Sequence, residues 1–246
     1  MDFRAKIDHS LGVIDQFVGR LSLEHVYVSF SGGKDSTIVL WLARKLYPDI
    51  KAVFCNTGNE YPDIVRFVRE ERDLRGANIE IIQPKTNPKE VLSTYGFPLI
   101  SKDTSSFCRS YRVNKESVRA RRADGRLKTK YNGEVSNKWK YLFYEPYMTS
   151  DYCCHKLKKE PFRAYEKVNN VSPILGIMAD ESKQRTTDYI KSNGCNSFGS
   201  NGVNKSLPLS IWLEKDIWDC IDKYNIPISD IYKKGIVTGK IGRAHV

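Results

Sequence analysis

Ser31-Gly32-Gly33-Lys34-Asp35-Ser36 lies between two apolar runs of different character. Before it, His25-Val26-Tyr27-Val28-Ser29-Phe30 is rich in β-formers and reads as a strand. After it, Ile38-Val39-Leu40-Trp41-Leu42-Ala43 and Leu46 carry helical spacing. The two glycines predict a tight turn that lets a ligand approach the backbone. A helix opening directly behind the turn aims free N–H groups and the positive end of its dipole at that ligand, which favours an anion. Lys34 adds a mobile positive charge, and Asp35 is placed to hold a magnesium ion through water beside phosphates. Together these predict a phosphate cradle on a strand–loop–helix unit; a glycine turn that only caps a helix is the alternative. The pattern is not that of the common P-loop, because Val28 and Asp35 stand where that motif needs Gly and Ser or Thr.

With 246 residues, 40% of them hydrophobic, the chain is long enough for one large α/β domain with a sizeable core. No apolar stretch approaches the roughly 20 residues needed to span a bilayer, and the N-terminus lacks a signal-peptide core. The expectation is a cytoplasmic protein without a membrane partner. Its six cysteines (Cys55, Cys108, Cys153, Cys154, Cys195 and Cys220) then read as thiols or metal ligands rather than a disulfide set. The net charge of +11 is concentrated: residues 109–140 hold eleven Lys/Arg against three Asp/Glu. Such a patch suits nucleic acid or a polyphosphate, although a solvated helix followed by a basic hairpin gives the same count.

Phe3, Ile7, Leu11, Ile14 and Val18 predict an amphipathic helix ahead of the first strand. Further strands are expected at 51–55, 79–82 and 173–177, with helices at 63–74, 87–95 and 105–122, and another opening at Glu214. Alternating strands and helices argue for a twisted, mainly parallel sheet with helices on both faces. Ligands bind such sheets beyond the carboxyl ends of the strands, which directs attention to Asn56, Thr57 and Glu60 after the second strand. Asn132-Gly133 is a turn signal. Trp139, Tyr141, Phe143, Tyr144 and Tyr147 form either a core cluster or a base-stacking surface.

Several separated stretches resemble one family. They are the hexapeptide, Asn56-Thr57-Gly58-Asn59-Glu60-Tyr61-Pro62, Cys153-Cys154 with Lys158, residues 176–185, Pro208-Leu209 through Trp212 to Ile217-Trp218, and Ile226-Pro227 before Ile231-Tyr232. The chain resembles the phosphoadenosine phosphosulfate (PAPS) reductase family of the adenine nucleotide α-hydrolase superfamily, in particular its phage and bacterial members. The resemblance implies a Rossmann-like α/β fold of this superfamily, with residues 1–239 as a single nucleotide-binding domain carrying a basic insertion at about 105–147. It implies adenine near Ser29, Asn56 and Gly176, with Thr57 and Glu60 close by. The phosphates would lie on Ser31, Gly32, Gly33, Lys34, Asp35, Ser36 and Arg185, the arginine by bidentate bonds.

Three departures shape the functional reading. Lys34 and Asp35 are both kept, as in ATP-cleaving relatives, whereas PAPS reductases usually have a degenerate loop. Met178 and Ala179 stand where reductases often carry arginines, and no Glu-Cys-Gly sequence occurs. The expected reaction is therefore cleavage of ATP to AMP and pyrophosphate, with Mg2+ on Asp35 and with Lys34, Asp35 and Arg185 catalytic, to activate an unidentified acceptor for sulfur transfer or reduction. Alternatives are a reductase acting on PAPS or adenylyl sulfate, and a nucleic-acid-binding or tRNA/DNA-modifying protein using residues 109–140. By the same resemblance Cys153 and Cys154 supply half of a [4Fe–4S] site, with the other half expected from a later Cys-x-x-Cys. Residues 240–246 instead read as a non-native tail on a truncated chain, and Cys153 and Cys154 alone would then be free thiols.

Overall fold

The computed structural model describes residues 2–128, 133–191, 194–199 and 204–234. In chain order the first elements are α1 (Phe3–Leu21), β1 (Val26–Ser29), α2 (Lys34–Leu46), β2 (Ala52–Cys55), α3 (Pro62–Asp73) and β3 (Ile79–Ile82). Next come α4 (Pro88–Tyr95), α5 (Lys102–Val113), α6 (Val118–Ala123), α7 (Tyr152–Cys154) and α8 (Glu160–Asn169). The last are β4 (Ser172–Leu175), α9 (Lys183–Lys191), β5 (Asn196–Phe198), β6 (Asn204–Ser206) and α10 (Glu214–Tyr224). The described chain falls into two compact units, one of residues 2–56, 60–82 and 164–234, the other of residues 57–59 and 83–163.

The first unit is built on a six-stranded sheet in the order β3-β2-β1-β4-β6-β5. All pairings are parallel except β5 with β6. Val26, Tyr27 and Val28 of β1 and every residue of β2 are buried, as expected of parallel strands covered on both faces. The covering helices supply Ile7, Ile14, Phe17 and Val18 from α1, Ile38, Val39 and Leu42 from α2, and Ile217, Cys220 and Ile221 from α10. From β1 the chain moves outward to β2 and β3, then returns to place β4 on the other side of β1. The crevice between β1 and β4 is thus the point where strand order reverses, and the loops after both strands open onto it. Among the described residues no helix is long and apolar enough to cross a membrane.

The second unit has its own apolar centre, in which Cys108 and Tyr111 of α5, Ala120 and Ala123 of α6, and Val135, Leu142 and Phe143 pack together. Val91, Cys153 and Leu157 form a smaller cluster. A wide π-type turn, His155–Lys159, joins α7 to α8.

Two details differ from the sequence expectation. The single helix expected over 105–122 is two helices. Asn114 takes the N–H of Glu116 on its side chain (2.9 Å), and Ser117 caps α6 by accepting from Ala120 (3.2 Å). These short polar side chains offer the backbone a local turn in place of the helix ladder. Strands β5 and β6 were not expected at all: three residues each, with polar Asn, Ser and Lys, they carry no usable alternation. The turn signal at Asn132 lies outside the described residues.

Trp212, fully buried, donates its indole N–H to Ser10 Oγ (2.9 Å), which donates in turn to the carbonyl of Pro208 (2.7 Å). Replacing Ser10 with Ala leaves an indole donor and a carbonyl acceptor buried without partners. Ser10→Ala should lower the unfolding free energy by about 1–3 kcal/mol in urea titration, with an unchanged m-value.

Candidate functional site

The hexapeptide joins β1 to α2, and its path is set by close contacts that exclude side chains. Gly32 has φ +71°, and a Cβ there would lie 2.8 Å from Ile64 Cγ2 and 3.0 Å from Val68 Cγ2, both on α3. Gly176, directly after β4, faces the same loop from the other side. A Cβ there would lie 2.9 Å from the Asp35 carbonyl carbon and oxygen and from the Ser36 nitrogen. The serines close the turn. Ser36 Oγ donates to the carbonyl of Gly33 (2.8 Å) and accepts the N–H of Ser31 (3.1 Å), with Ser31 Oγ 3.0 Å away. Gly33 opens α2 as its N-cap. Of the amides there, Lys34 N–H donates to the hydroxyl of Tyr232 (2.8 Å), while those of Gly32, Asp35 and Ser36 have no acceptor among the described residues. Free N–H groups at a helix start are the physical basis of an anion site.

Lys34 is only 1% exposed. Its Nζ donates to Asp35 Oδ1 (2.7 Å), lies 3.6 Å from Glu214 Oε1, and sits 5.9 Å from the ring centre of Trp218. Burial pushes the Asp35 carboxyl upward from its usual range; Lys34 pulls it back, and the carboxylates of Glu181 and Glu214 push it up again. Arg185 pairs with Glu181, whose carboxylate also accepts the N–H of Met178 (3.1 Å). The result is an alternating set of charges around the loop: Lys34 and Arg185 against Asp35, Glu181 and Glu214.

Ser29 ends β1 opposite Val53 and Leu175, and Asn56 follows β2 with its N–H on the carbonyl of Ile82 (2.9 Å). Since the strands are parallel, both residues stand at the carboxyl edge of the sheet, and Glu60 lies further along the same connection. Thr57 belongs to the second unit, where it is 2% exposed and its Oγ1 accepts the N–H of Asn59 (3.3 Å). The structure therefore brings Ser31, Gly32, Gly33, Lys34, Asp35, Ser36 and Gly176 into one loop environment, and ties Arg185 to it through Glu181 and the field on Asp35. Sequence reasoning missed Glu181, Glu214, Trp218 and Tyr232 as members of this site. All four lay within the quoted family stretches, but only the fold sets them against the loop.

Magnesium bound with phosphates needs one or two protein carboxylates rather than a full protein cage, and Asp35 at the head of α2 meets that requirement. Among the described residues no further cysteine joins Cys153 and Cys154 as a cluster ligand. Cys153 is buried among Val91 and Leu157, Cys154 is half-buried beside it, and burial pushes the Cys153 thiol up. The six cysteines form no disulfide, and no group of three or more His, Cys, Asp or Glu among the described residues could hold a metal ion.

Part of the basic segment is engaged within its own unit. Arg109 Nε donates to Asp151 (2.9 Å), Arg112 to the carbonyls of Phe143 and Glu145, and Arg119 to Ser106 Oγ (2.9 Å). Arg126 bonds Asp124 and Glu116, and Lys140 bonds Glu134. The aromatic run is divided: Phe143 stacks on Tyr111 at 4.3 Å within the core, whereas Tyr141, Tyr144 and Tyr147 are exposed.

Residues 25–245 match the phosphoadenosine phosphosulfate reductase domain. An uncharacterized nin region protein of Escherichia phage lambda is 29% identical over 64% of this chain and 49% of its own length. Three of the curated relatives are longer proteins, of which the chain spans 39%, 49% and 34%. A PAPS reductase from Candida auris, solved as a phosphate complex, is 15% identical with a TM-score of 0.55, covering 92% of this chain and 84% of that one. Candida glabrata FMN adenylyltransferase, solved with FMN and the ATP analogue AMPCPP, is 12% identical with a TM-score of 0.55, covering 96% and 62%. At these identities the two structures speak for the adenine nucleotide α-hydrolase type of fold, with its six-stranded, mainly parallel sheet. With nearly its whole length matched, the chain belongs to the phosphoadenosine phosphosulfate reductase domain family.

Proposed function

We propose that this chain binds ATP at residues 31–36 and cleaves it between the α- and β-phosphates. An oxygen of the acceptor bonds to the α-phosphorus, the bond from that phosphorus to the bridging oxygen breaks, and pyrophosphate leaves. The observation that carries the reading is the buried Lys34–Asp35 pair at the first turn of α2. It sets a cation, unengaged amides and a metal-binding carboxylate at one anion site. Lys34 and the amides of Gly32, Asp35 and Ser36 would hold the phosphates and stabilise charge on the leaving group. Arg185 would add a planar, bidentate contact. Magnesium, when bound, neutralises phosphate charge, and Asp35 is the residue that would hold it. The AMP-activated acceptor is then primed for sulfur transfer or reduction. The likeness to an adenylyltransferase solved with an ATP analogue supports ATP as the nucleotide. Met178, 4% exposed, is engaged in packing where a phosphosulfate site would want an arginine.

The test is pyrophosphate release from ATP by the intact chain, with magnesium and a panel of oxygen acceptors. Wild-type turnover should fall at least about a hundredfold in Lys34→Gln, as expected for loss of a charge-stabilising group. Release that is absent with every acceptor, or indifferent to Lys34→Gln, sinks the proposal. Binding of PAPS or adenylyl sulfate more tightly than ATP would move the assignment to the reductase reading.

Gly176→Ala drives a methyl group into the Asp35–Ser36 backbone. It should cost about 1–3 kcal/mol of stability and weaken ATP binding as well. Calorimetric Tm and titration with ATP would read the two effects separately.

A further inference from the structure

The C-terminal turn Asp230–Lys234 carries a tyrosine for which the proposed reaction has yet to find a use. Ile231 is 1% exposed and Tyr232 9%, so one face of the turn is seated in the core, while Asp230, Lys233 and Lys234 stay exposed. Lys234 fastens it to α3 by contacts from Nζ to both oxygens of Asp63 (3.1 and 3.0 Å). The Tyr232 ring meets Trp218 of α10 edge to face, with centres 5.7 Å apart. This packing delivers the phenol oxygen to the phosphate loop. It accepts the N–H of Lys34 (2.8 Å) and lies 3.4 Å from where a Cβ on Gly33 would stand.

A phenol hydroxyl has two lone pairs and one proton to donate. The Lys34 amide uses a lone pair. The proton has no acceptor among the described residues. Burial pushes the Tyr232 hydroxyl up to about 12, so the proton stays in place at neutral pH. A buried donor without an acceptor is costly, and here it stands beside Gly33 and Lys34, where an anion would meet the loop.

We infer that the Tyr232 hydroxyl is a further phosphate-binding group of this site, donating its proton to a pyrophosphate oxygen of the nucleotide while it holds the Lys34 amide. The inference rests on the nucleotide reading above and adds to it a contact from the far end of the chain. It gives the site a preference for nucleotides that carry a pyrophosphate group over those that end at the α-phosphate.

Tyr232→Phe keeps the ring and its contact with Trp218 and removes only the hydroxyl. Titration calorimetry of the full chain with ATP, inorganic pyrophosphate and AMP, each with magnesium, gives the result. ATP and pyrophosphate should bind at least about tenfold more weakly to the variant, the size expected for a hydrogen bond to a charged group, with AMP affinity little changed. Equal or tighter pyrophosphate binding overturns the inference. It would mean that the hydroxyl only caps Lys34, or even competes with the anion for that amide. If Tyr232→Phe loses several degrees of Tm, Lys234→Ala takes its place, since it loosens the turn from α3 and leaves the phenol intact. A selective loss of pyrophosphate over AMP affinity supports the inference, and an unchanged ratio counts against it. Wild-type protein that binds neither ATP nor pyrophosphate overturns the nucleotide reading and this assignment together. Wild-type binding with an indifferent Tyr232→Phe overturns this assignment alone.

Discussion

Burying the head of Lys34 is the constraint to which the rest of the site answers. A charged side chain that is 1% exposed is tolerated only with close counter-charges and hydrogen bonds. Asp35 and Glu214 provide the counter-charges, and they come from the two helices, α2 and α10, that flank the loop. The arrangement is not at rest electrostatically. Burial, and then the neighbouring carboxylates Glu181 and Glu214, hold the Asp35 carboxyl above its usual range, and these three carboxylates outnumber Lys34 and Arg185. A magnesium–phosphate ligand alters both sides at once: it brings a cation to the carboxylate and anionic oxygens to the lysine and the helix amides. That double exchange gives a physical reason for Lys and Asp to sit next to each other in the sequence.

The backbone around the pair is held by exclusion as well as by the hydrogen bonds of Ser31, Ser36 and Tyr232. Gly32 is pressed against Ile64 and Val68 of α3, and Gly176 against the peptide between Asp35 and Ser36. The loop is thus clamped between the helix that follows β2 and the residue that follows β4. The strand order puts β4 on one side of β1 and β2 on the other, so both clamps arrive at the same crevice. The topology of the sheet and the geometry of the anion site are in this sense one feature.

Much of this was legible in the sequence wherever local chemistry and tertiary structure agree. The β1–loop–α2 unit follows from the glycines between runs of different period, and β3 follows from Ile79-Glu80-Ile81-Ile82. The break between α5 and α6 was carried by Asn114 and Ser117, whose side chains offer the backbone a local turn. Strands β5 and β6 had no local signal, because three-residue pairings draw their stability from neighbours. Glu214 and Tyr232 could not be found from spacing. They lie 180 and 198 residues from Lys34 and Lys34's amide, and only the packing of α10 and the last turn brings them there.

In the basic segment, part of the charge is also used for packing. Eleven cations over residues 109–140 suggest a field available to a polyanion. Yet Arg112 closes on two backbone carbonyls, Arg109 is held between Asp151 and the ring of Tyr152, and Arg119 lies over Phe107 with a bond to Ser106. A small unit with few buried apolar residues uses guanidinium groups as ties, since each can satisfy several acceptors and cover an aromatic face at once. Neutralising such an arginine would change the packing as well as the charge. Loss of binding in a variant like that would not by itself identify an electrostatic surface. A count of charges cannot separate these two uses of arginine; the hydrogen-bond partners can.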